Sequence, residues 1–301
     1  MNTIRQSNLA ARLAALVPHH GISLAAVPGV QLIYTTEHHE RIPVLYRPRI
    51  IVILQGHKVG YLAEHTFRYD PLHYLIMSLP LPCECECFAS PEHPLVGLAI
   101  DIDLATLQSL LLEMGEAAPT PAEPERGVLS VPLSETMLCA VERLIDVMDK
   151  PLYARVLGTQ IVRELLFHAL HETGAPALLA MASRHSQVNQ IARVLRIIEQ
   201  RFTEPLTVEE LAREANMSLS AFHHHFKTVT ATSPLQYIKT LRLHKARLIM
   251  LHDGLKACVA ANRVGYESGS QFSREYKRFF GNTPREHVTH FREGRLRIVE
   301  G

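Results

Sequence analysis

No stretch of this 301-residue sequence approaches the ~20 consecutive apolar residues that a membrane-spanning helix requires. The N-terminus also lacks the unbroken apolar run of a secretory signal, because Arg12 interrupts it; Leu9, Leu13 and Leu16 suit a short amphipathic helix instead. Cysteine is scarce. Five in a long chain with no signal segment are expected to stay reduced in the cytoplasm. The sequence has no glycine-rich phosphate loop, no nucleophile elbow and no zinc-protease motif, so neither catalysis nor a cofactor is expected. An overall excess of one charge is missing too, the net being +1. That balance is a cancellation between two halves. From Arg184 onward 19 Lys and Arg stand against 11 Asp and Glu, while the preceding residues carry a net charge of −7. A basic C-terminal part suits a phosphate backbone, which the acidic N-terminal part would repel.

Within the basic part, LTVEELAREANMSLSAFHHHFK over residues 206–227 reads as helix, tight turn, helix. Thr207 followed three residues later by Glu210 is a capping-box pattern that starts the first helix. Asn216 stands where the chain must turn, since Asn tolerates a left-handed backbone. Ser218 caps the second helix. Helical spacing there places Leu219, Phe222, Phe226 and Val229 on one face and Ser220, His223, His224 and Lys227 on the other. A short buried helix beside a polar one is the arrangement of a DNA-reading helix-turn-helix.

The pattern recurs. Ser218-x-Ser220-x-Phe222-x-x-x-Phe226-Lys227 returns as Ser268-x-Ser270-x-Phe272-x-x-x-Tyr276-Lys277, and Ser233-Pro234 returns as Thr283-Pro284. The common offset marks a duplication of two units rather than a solenoid, which needs about three. Residues 233–252 between them have Pro234 at the first helical position and no breaker before Gly254, which predicts a long connecting helix. Such a bar could hold two reading helices about one DNA turn (~34 Å) apart.

These residues carry a family likeness. MSLSAFHHHFKTVTATSPLQYIKTLRLHKARLIM, followed by RVGYESGSQFSREYKRFFGNTPREH, resembles the AraC/XylS transcription regulators over residues 187–288. Asn216 and Ala231 stand where that family often has Gly, and Ala260 and Asn262 make the first helix of the second unit smaller and more polar than usual.

Ahead of the DNA unit, residues 30–36, 49–55, 57–62, 72–78, 82–88 and 95–102 read as short strands, with Gln55-Gly56-His57 as a hairpin turn. Their near-regular spacing suggests a small antiparallel barrel or sandwich. Asp103 caps a helix to about Met114, and Pro119, Pro121 and Pro124 mark a loop. Two longer helices follow over 134–149 and 152–172, joined at Lys150-Pro151 as an antiparallel hairpin. Their inward stripes are read as Leu138, Val141, Leu144, Ile145 and Met148 on the first and Val156, Ile161, Leu165 and Leu166 on the second. The resemblance implies a cupin-like N-terminal sensor barrel, a small-molecule effector, and a homodimer contact through these helices. The expected fold is therefore α+β: an N-terminal cupin-like antiparallel β barrel with flanking helices, then an all-α double helix-turn-helix domain. The expected boundaries are 1–174, a linker at 175–186, and 187–301.

Ser220, His223 and His224 on the first reading helix, and Ser270, Gln271 and Arg274 on the second, are the candidates for base contacts. Gln suits adenine and Arg suits guanine through paired bonds. Gln271 has a competing role, because Ser268-x-x-Gln271 is itself a capping pattern. Lys227, Lys277 and Arg278, one turn further on, suit phosphates. Consecutive histidines point ~100° apart on a helix, so His223, His224 and His225 cannot converge on one metal ion; His225 is expected against the partner helix.

Cys83, Cys85 and Cys87 alternate with Glu84 and Glu86, which puts three thiols on one strand face and two carboxylates on the other. The thiols can line a core, one of them can sense an electrophile, or they can bind metal together with His57, His65 or His73. A rival to the ligand-sensing regulator is a cupin-type metal enzyme with His57 and His73 as first ligands, and a second rival is a thiol switch. Promoter DNA is the expected partner, with RNA polymerase added if the protein activates.

Overall fold

A computed structural model describes residues 2–118, 127–172, 174–182 and 186–292 of the chain. The N-terminal part runs α1 (Asn2–Leu16), β1 (Gly21–Leu24), β2 (Val30–Thr35), β3 (His39–Tyr46), β4 (Arg49–Gln55), β5 (His57–Leu62), β6 (His65–Tyr69), β7 (His73–Met77), β8 (Leu81–Phe88) and β9 (Leu95–Asp101). It continues through α2 (Leu104–Met114), β10 (Val128–Pro132), α3 (Glu135–Met148), α4 (Pro151–His171) and α5 (Ala175–Ala182). The C-terminal part comprises α6 (Gln187–Arg201), α7 (Val208–Glu214), α8 (Leu219–Thr230), α9 (Pro234–His252), α10 (Ala257–Arg263), α11 (Gly269–Phe280) and α12 (Pro284–Arg292).

The strands form two antiparallel sheets, ordered β1-β2-β9-β4-β7-β10 and β3-β8-β5-β6. The expected barrel is thus a pair of facing sheets with free edges. Where edge strands β6 and β10 come near each other, the contact is the Ser130 hydroxyl on the Arg68 carbonyl at 3.2 Å, not a ladder. The larger sheet is buried on both faces, which explains the near-continuous apolar run RIIVILQ of β4. Ile50, Val52 and Leu54 face α1 and α3–α5, while Ile51 and Ile53 face the smaller sheet.

Asp103 and Ser134 cap α2 and α3, accepting from the backbone N–H of Thr106 and Met137. The stripe expected on α3 is buried. On α4 the expectation fails at Val156, which is 56% exposed, because the buried side runs through Ala154, Gly158, Ile161 and Leu165. Gly158 lets α4 approach Val27, whose methyl groups lie 2.6 and 2.7 Å from where a Cβ would be. Much of the stretch expected as a linker, including its apolar ALLAM run, is the helix α5, buried against the larger sheet's helical layer. Pro119, Pro121 and Pro124 lie outside the described residues.

In the C-terminal part the caps fall where the sequence places them: Thr207, Ser218, Ser233 and Ser268 each accept from the backbone N–H three residues on. Asn216 takes the left-handed backbone of the first turn, at φ +54°. The duplication extends to the backbone, since Ala231 and Gly281 end α8 and α11 at φ +58° and +79°. The sandwich interior and the core of the first helix-turn-helix form one continuous apolar cluster, from Ile51 and Cys85 through Ile191 to Phe222 and Tyr237. The second unit has its own core around Ala260, Phe272 and Tyr276. No described helix is long and apolar enough to cross a membrane.

Candidate DNA-reading surface

Phe222 and Phe226 anchor α8, and Phe272 and Tyr276 anchor α11; all four are fully buried. With those sides fixed, the opposite faces must look outward. Ser220, His223, His224 and Lys227 are exposed on α8, as are Ser270, Gln271, Arg274, Lys277 and Arg278 on α11. Leu219, expected on the buried face, is 43% exposed at the first position of α8. His225 is half-buried and faces the β5–β6 turn of the N-terminal part across a cleft.

Several cations of the supporting helices are engaged, including all four of α9, where Arg247 lies over the Phe280 ring. Arg201 pairs with Glu204 and Glu210, Lys239 with Glu275, and Lys245 with Glu199. Arg242 donates to the carbonyls of Phe202, Glu204 and Gly265 at 2.6, 2.9 and 3.2 Å, clamping the connecting helix to both units. By contrast, none of Lys227, Arg274, Lys277 and Arg278 is held in a salt bridge among the described residues. Exposed cations on the outer faces of two short polar helices are what a polyanion would meet.

Gln271 makes half of the expected cap. Its backbone N–H donates to Ser268 Oγ at 3.3 Å, while its side-chain Nε2 donates forward to Glu275 Oε1 at 3.1 Å. Glu275 also accepts from Tyr266 at 2.9 Å and from Lys239 at 3.4 Å, and these bonds outweigh its partial burial and hold its carboxyl below the ordinary value. Glu275 was not singled out from sequence, where it reads as one more surface acid; its four-residue spacing from Gln271 is the signal that was available.

The N-terminal candidates are differently placed. Cys83, Cys85 and Cys87 are all buried between the sheets, while Glu84 pairs outward with Arg41 and Glu86 accepts from Tyr61 at 2.8 Å. Burial pushes the Cys83 thiol well up and the Cys87 thiol up to about 11, which disfavours the reactive thiolate. His57, on the smaller sheet, stacks on Phe88 with ring centroids 4.5 Å apart, and burial lowers its pKa. His73, on the larger sheet, bonds Asp70 at 3.2 Å. No group of three His, Cys, Asp or Glu among the described residues, His57 and His73 included, is placed to hold a metal.

One interior group went unnoticed in the sequence. Lys58 is buried between the sheets, with its Nζ 5.9 and 5.7 Å from the ring centroids of Tyr46 and Tyr69. Burial works against its ammonium, and the two facing phenol rings and the Tyr46 hydroxyl work the other way. The two phenols bond each other at 2.7 Å, and Tyr69 reaches Cys85 Sγ at 3.3 Å. Strict alternation along His57–Leu62 places Lys58 on the same face as Leu62, so period two carried the signal.

A two-sheet N-terminal part continuous with two exposed reading helices on a shared connecting helix defines a DNA-binding regulator. Comparison with known proteins agrees. Residues 26–177, half of the chain, match the family described as AraC-type transcriptional regulator N-terminus, and residues 211–289 match a helix-turn-helix domain. The chain belongs to the AraC-type transcriptional regulators. It is 28% identical over 191 residues to the thermoregulatory protein LcrF of Yersinia pestis, covering 64% of this chain and 69% of LcrF. It is 28% identical over 160 residues to the transcriptional activator RhaS of Salmonella schwarzengrund, covering 53% of each. In fold it resembles ToxT of Vibrio cholerae, with a TM-score of 0.61 and 10% identity for the apo K231A form, over 90% of this chain and 99% of that one. A second ToxT structure, with unsaturated fatty acid bound, matches with a TM-score of 0.58 and 10% identity over 86% and 94% of the two chains.

Proposed function

We propose that α8 and α11 enter adjacent major grooves of promoter DNA. Ser220, His223, His224, Ser270, Gln271 and Arg274 meet base edges, and Lys227, Lys277 and Arg278 meet phosphates. The observation that carries this reading is the contrast in pairing between the connecting helix and the reading faces: all four Lys and Arg of α9 are engaged within the protein, and the two reading faces leave theirs to solvent. The connecting helix has 19 residues. At 1.5 Å per residue that is roughly 28 Å, a spacer suited to one turn of DNA.

In this reading residues 1–174 sense a small molecule and dimerise, 175–186 connect, and 187–301 bind DNA. The effector acts by favouring one arrangement of the two parts. Fatty acid on ToxT supports a small-molecule effector here. A homodimer is supported by α4, where Leu152, Tyr153, Val156 and Leu157 form an exposed apolar stripe suited to a second copy of itself. Output as an activator is supported by the relative RhaS, a transcriptional activator; in this reading it acts on RNA polymerase, in the cytoplasm where promoter DNA is.

The test is to recover genomic fragments with the full chain, sequence them, and measure variants on the recovered site. Arg274→Ala is expected to cost ~1–3 kcal/mol and relax preference at one base position. Lys277→Ala is expected to weaken all sequences alike and lower the salt slope by about one unit. Unchanged preference in Arg274→Ala would remove that residue from base reading.

A further inference from the structure

Between the β5–β6 turn and α8 lies a cleft of about 710 Å³. Its size falls within the range of small-molecule sites, ~300–1,000 Å³, and it lies between two parts of the fold, where such sites concentrate. Three elements meet there. The β5–β6 turn supplies Leu62 and His65, the start of α6 supplies Val188, and α8 supplies His224, His225 and Lys227.

The chemistry of the lining is specific. Leu62 and Val188 offer an apolar wall. Lys227 offers a full positive charge, and the three imidazoles offer N–H donors. The first amides of α6, a 15-residue helix capped by Ser186, add the positive end of a helix dipole to the same space. One carboxylate, Glu64, also borders the cleft and is exposed to water. The α8 side of the cleft is not a rear surface. His224 and Lys227 belong to the face turned toward DNA in the reading above.

We propose that this cleft binds a small organic anion, an acidic group on a compact apolar body, and that the bound anion and DNA phosphate exclude each other on α8. This rests on α8 as a DNA-reading helix. The anion takes the Lys227 ammonium and the His224 side chain that a phosphate and a base edge would otherwise meet, while its apolar body lies against Leu62 and Val188. The signal then needs no long path through the protein, because ligand and DNA compete for the same side chains.

The test uses 1-anilinonaphthalene-8-sulfonate, an aromatic sulfonate whose fluorescence rises on transfer from water, with the full chain and a genomic fragment that the chain itself recovers. A single saturable site, emptied by the DNA fragment, is expected. Two substitutions on the N-terminal side leave the DNA face untouched. Glu64→Gln should tighten probe binding and His65→Glu should weaken it, each by about fivefold, the effect of one charge a few ångström away in a wet site. Both should bind DNA as the unsubstituted chain does when probe is absent. Probe affinity unmoved by both substitutions, or probe retained on the DNA complex, would overturn the proposal. Lys227→Gln separates the two readings. Loss of both probe and DNA affinity supports the shared site, whereas loss of probe affinity alone would sink the DNA role of α8 and the competition with it, leaving only a ligand cleft.

Discussion

The hydroxyl of Tyr237 donates to the carbonyl oxygen of Pro80 at 3.0 Å, across 157 residues of chain. Tyr237 lies in the connecting helix α9, packs edge-on to Phe226 of the first reading helix at 5.8 Å between centroids, and is fully buried. Pro80 lies between β7 and β8. One bond therefore joins the sensing sheets, the connecting helix and a reading helix.

Tyr237→Phe keeps the ring and deletes the bond. The expected loss is about 1 kcal/mol, the usual net value of one such bond. Urea unfolding of the full chain measures it. Hydrogen exchange should speed up in α9 and at the start of β8. An unchanged midpoint with unchanged exchange would mean the two parts are held by the apolar cluster alone.

Gln271 reads bases, in this account, with an amide held by Glu275. With Nε2 engaged at 3.1 Å, the amide oxygen is left for a base donor. Gln271→Ala should cost ~1–3 kcal/mol of discrimination at one position. Glu275→Ala should relax preference at that same position while also loosening Tyr266 and Lys239. Selection of binding sites from a randomised pool by each variant tells them apart: relaxation at different positions would break the link.

Acid should weaken the second helix-turn-helix before the first. His244 and His287 are buried in and beside its core, and burial, with Arg247 nearby, lowers the pKa of both, His287 to about 4. A histidine with a lowered folded pKa is neutral when folded and charged when unfolded. Its stability contribution is therefore full above the ordinary pKa of ~6.5 and falls as pH drops toward 4, by at most ~1.4 kcal/mol per pH unit per group. The Tyr276 hydroxyl, 3.1 Å from His287 Nδ1, can donate to the neutral ring. Thermal melts of the full chain between pH 7.5 and 4.5 should show the loss, and His287→Phe should reduce it. A flat profile would contradict the neutral, buried imidazoles.

The strands divide by position. All six interior strands, β2, β4, β5, β7, β8 and β9, were legible, β2, β4, β7 and β9 as apolar runs and β5 and β8 as short runs with one face buried. The four that escaped, β1, β3, β6 and β10, are the four sheet edges. An edge tolerates what an interior strand cannot: β3 carries Pro43 opposite Glu84, together with His39, Glu40 and Arg41. The duplicated reading units were legible down to Asn216, since caps and turns are local chemistry. The cleft at Lys227 and the clamp at Arg242 were not, because each joins segments far apart in sequence, and no spacing rule reports that.

The central claim is that two helices on one bar read one duplex together. Methylation interference on the recovered DNA fragment tests this most directly. Two clusters of major-groove contacts about 10 base pairs apart on one face of the duplex are predicted, with the α11 cluster lost in Arg274→Ala and the α8 cluster kept. A single cluster, or two on opposite faces of the DNA, would contradict the account.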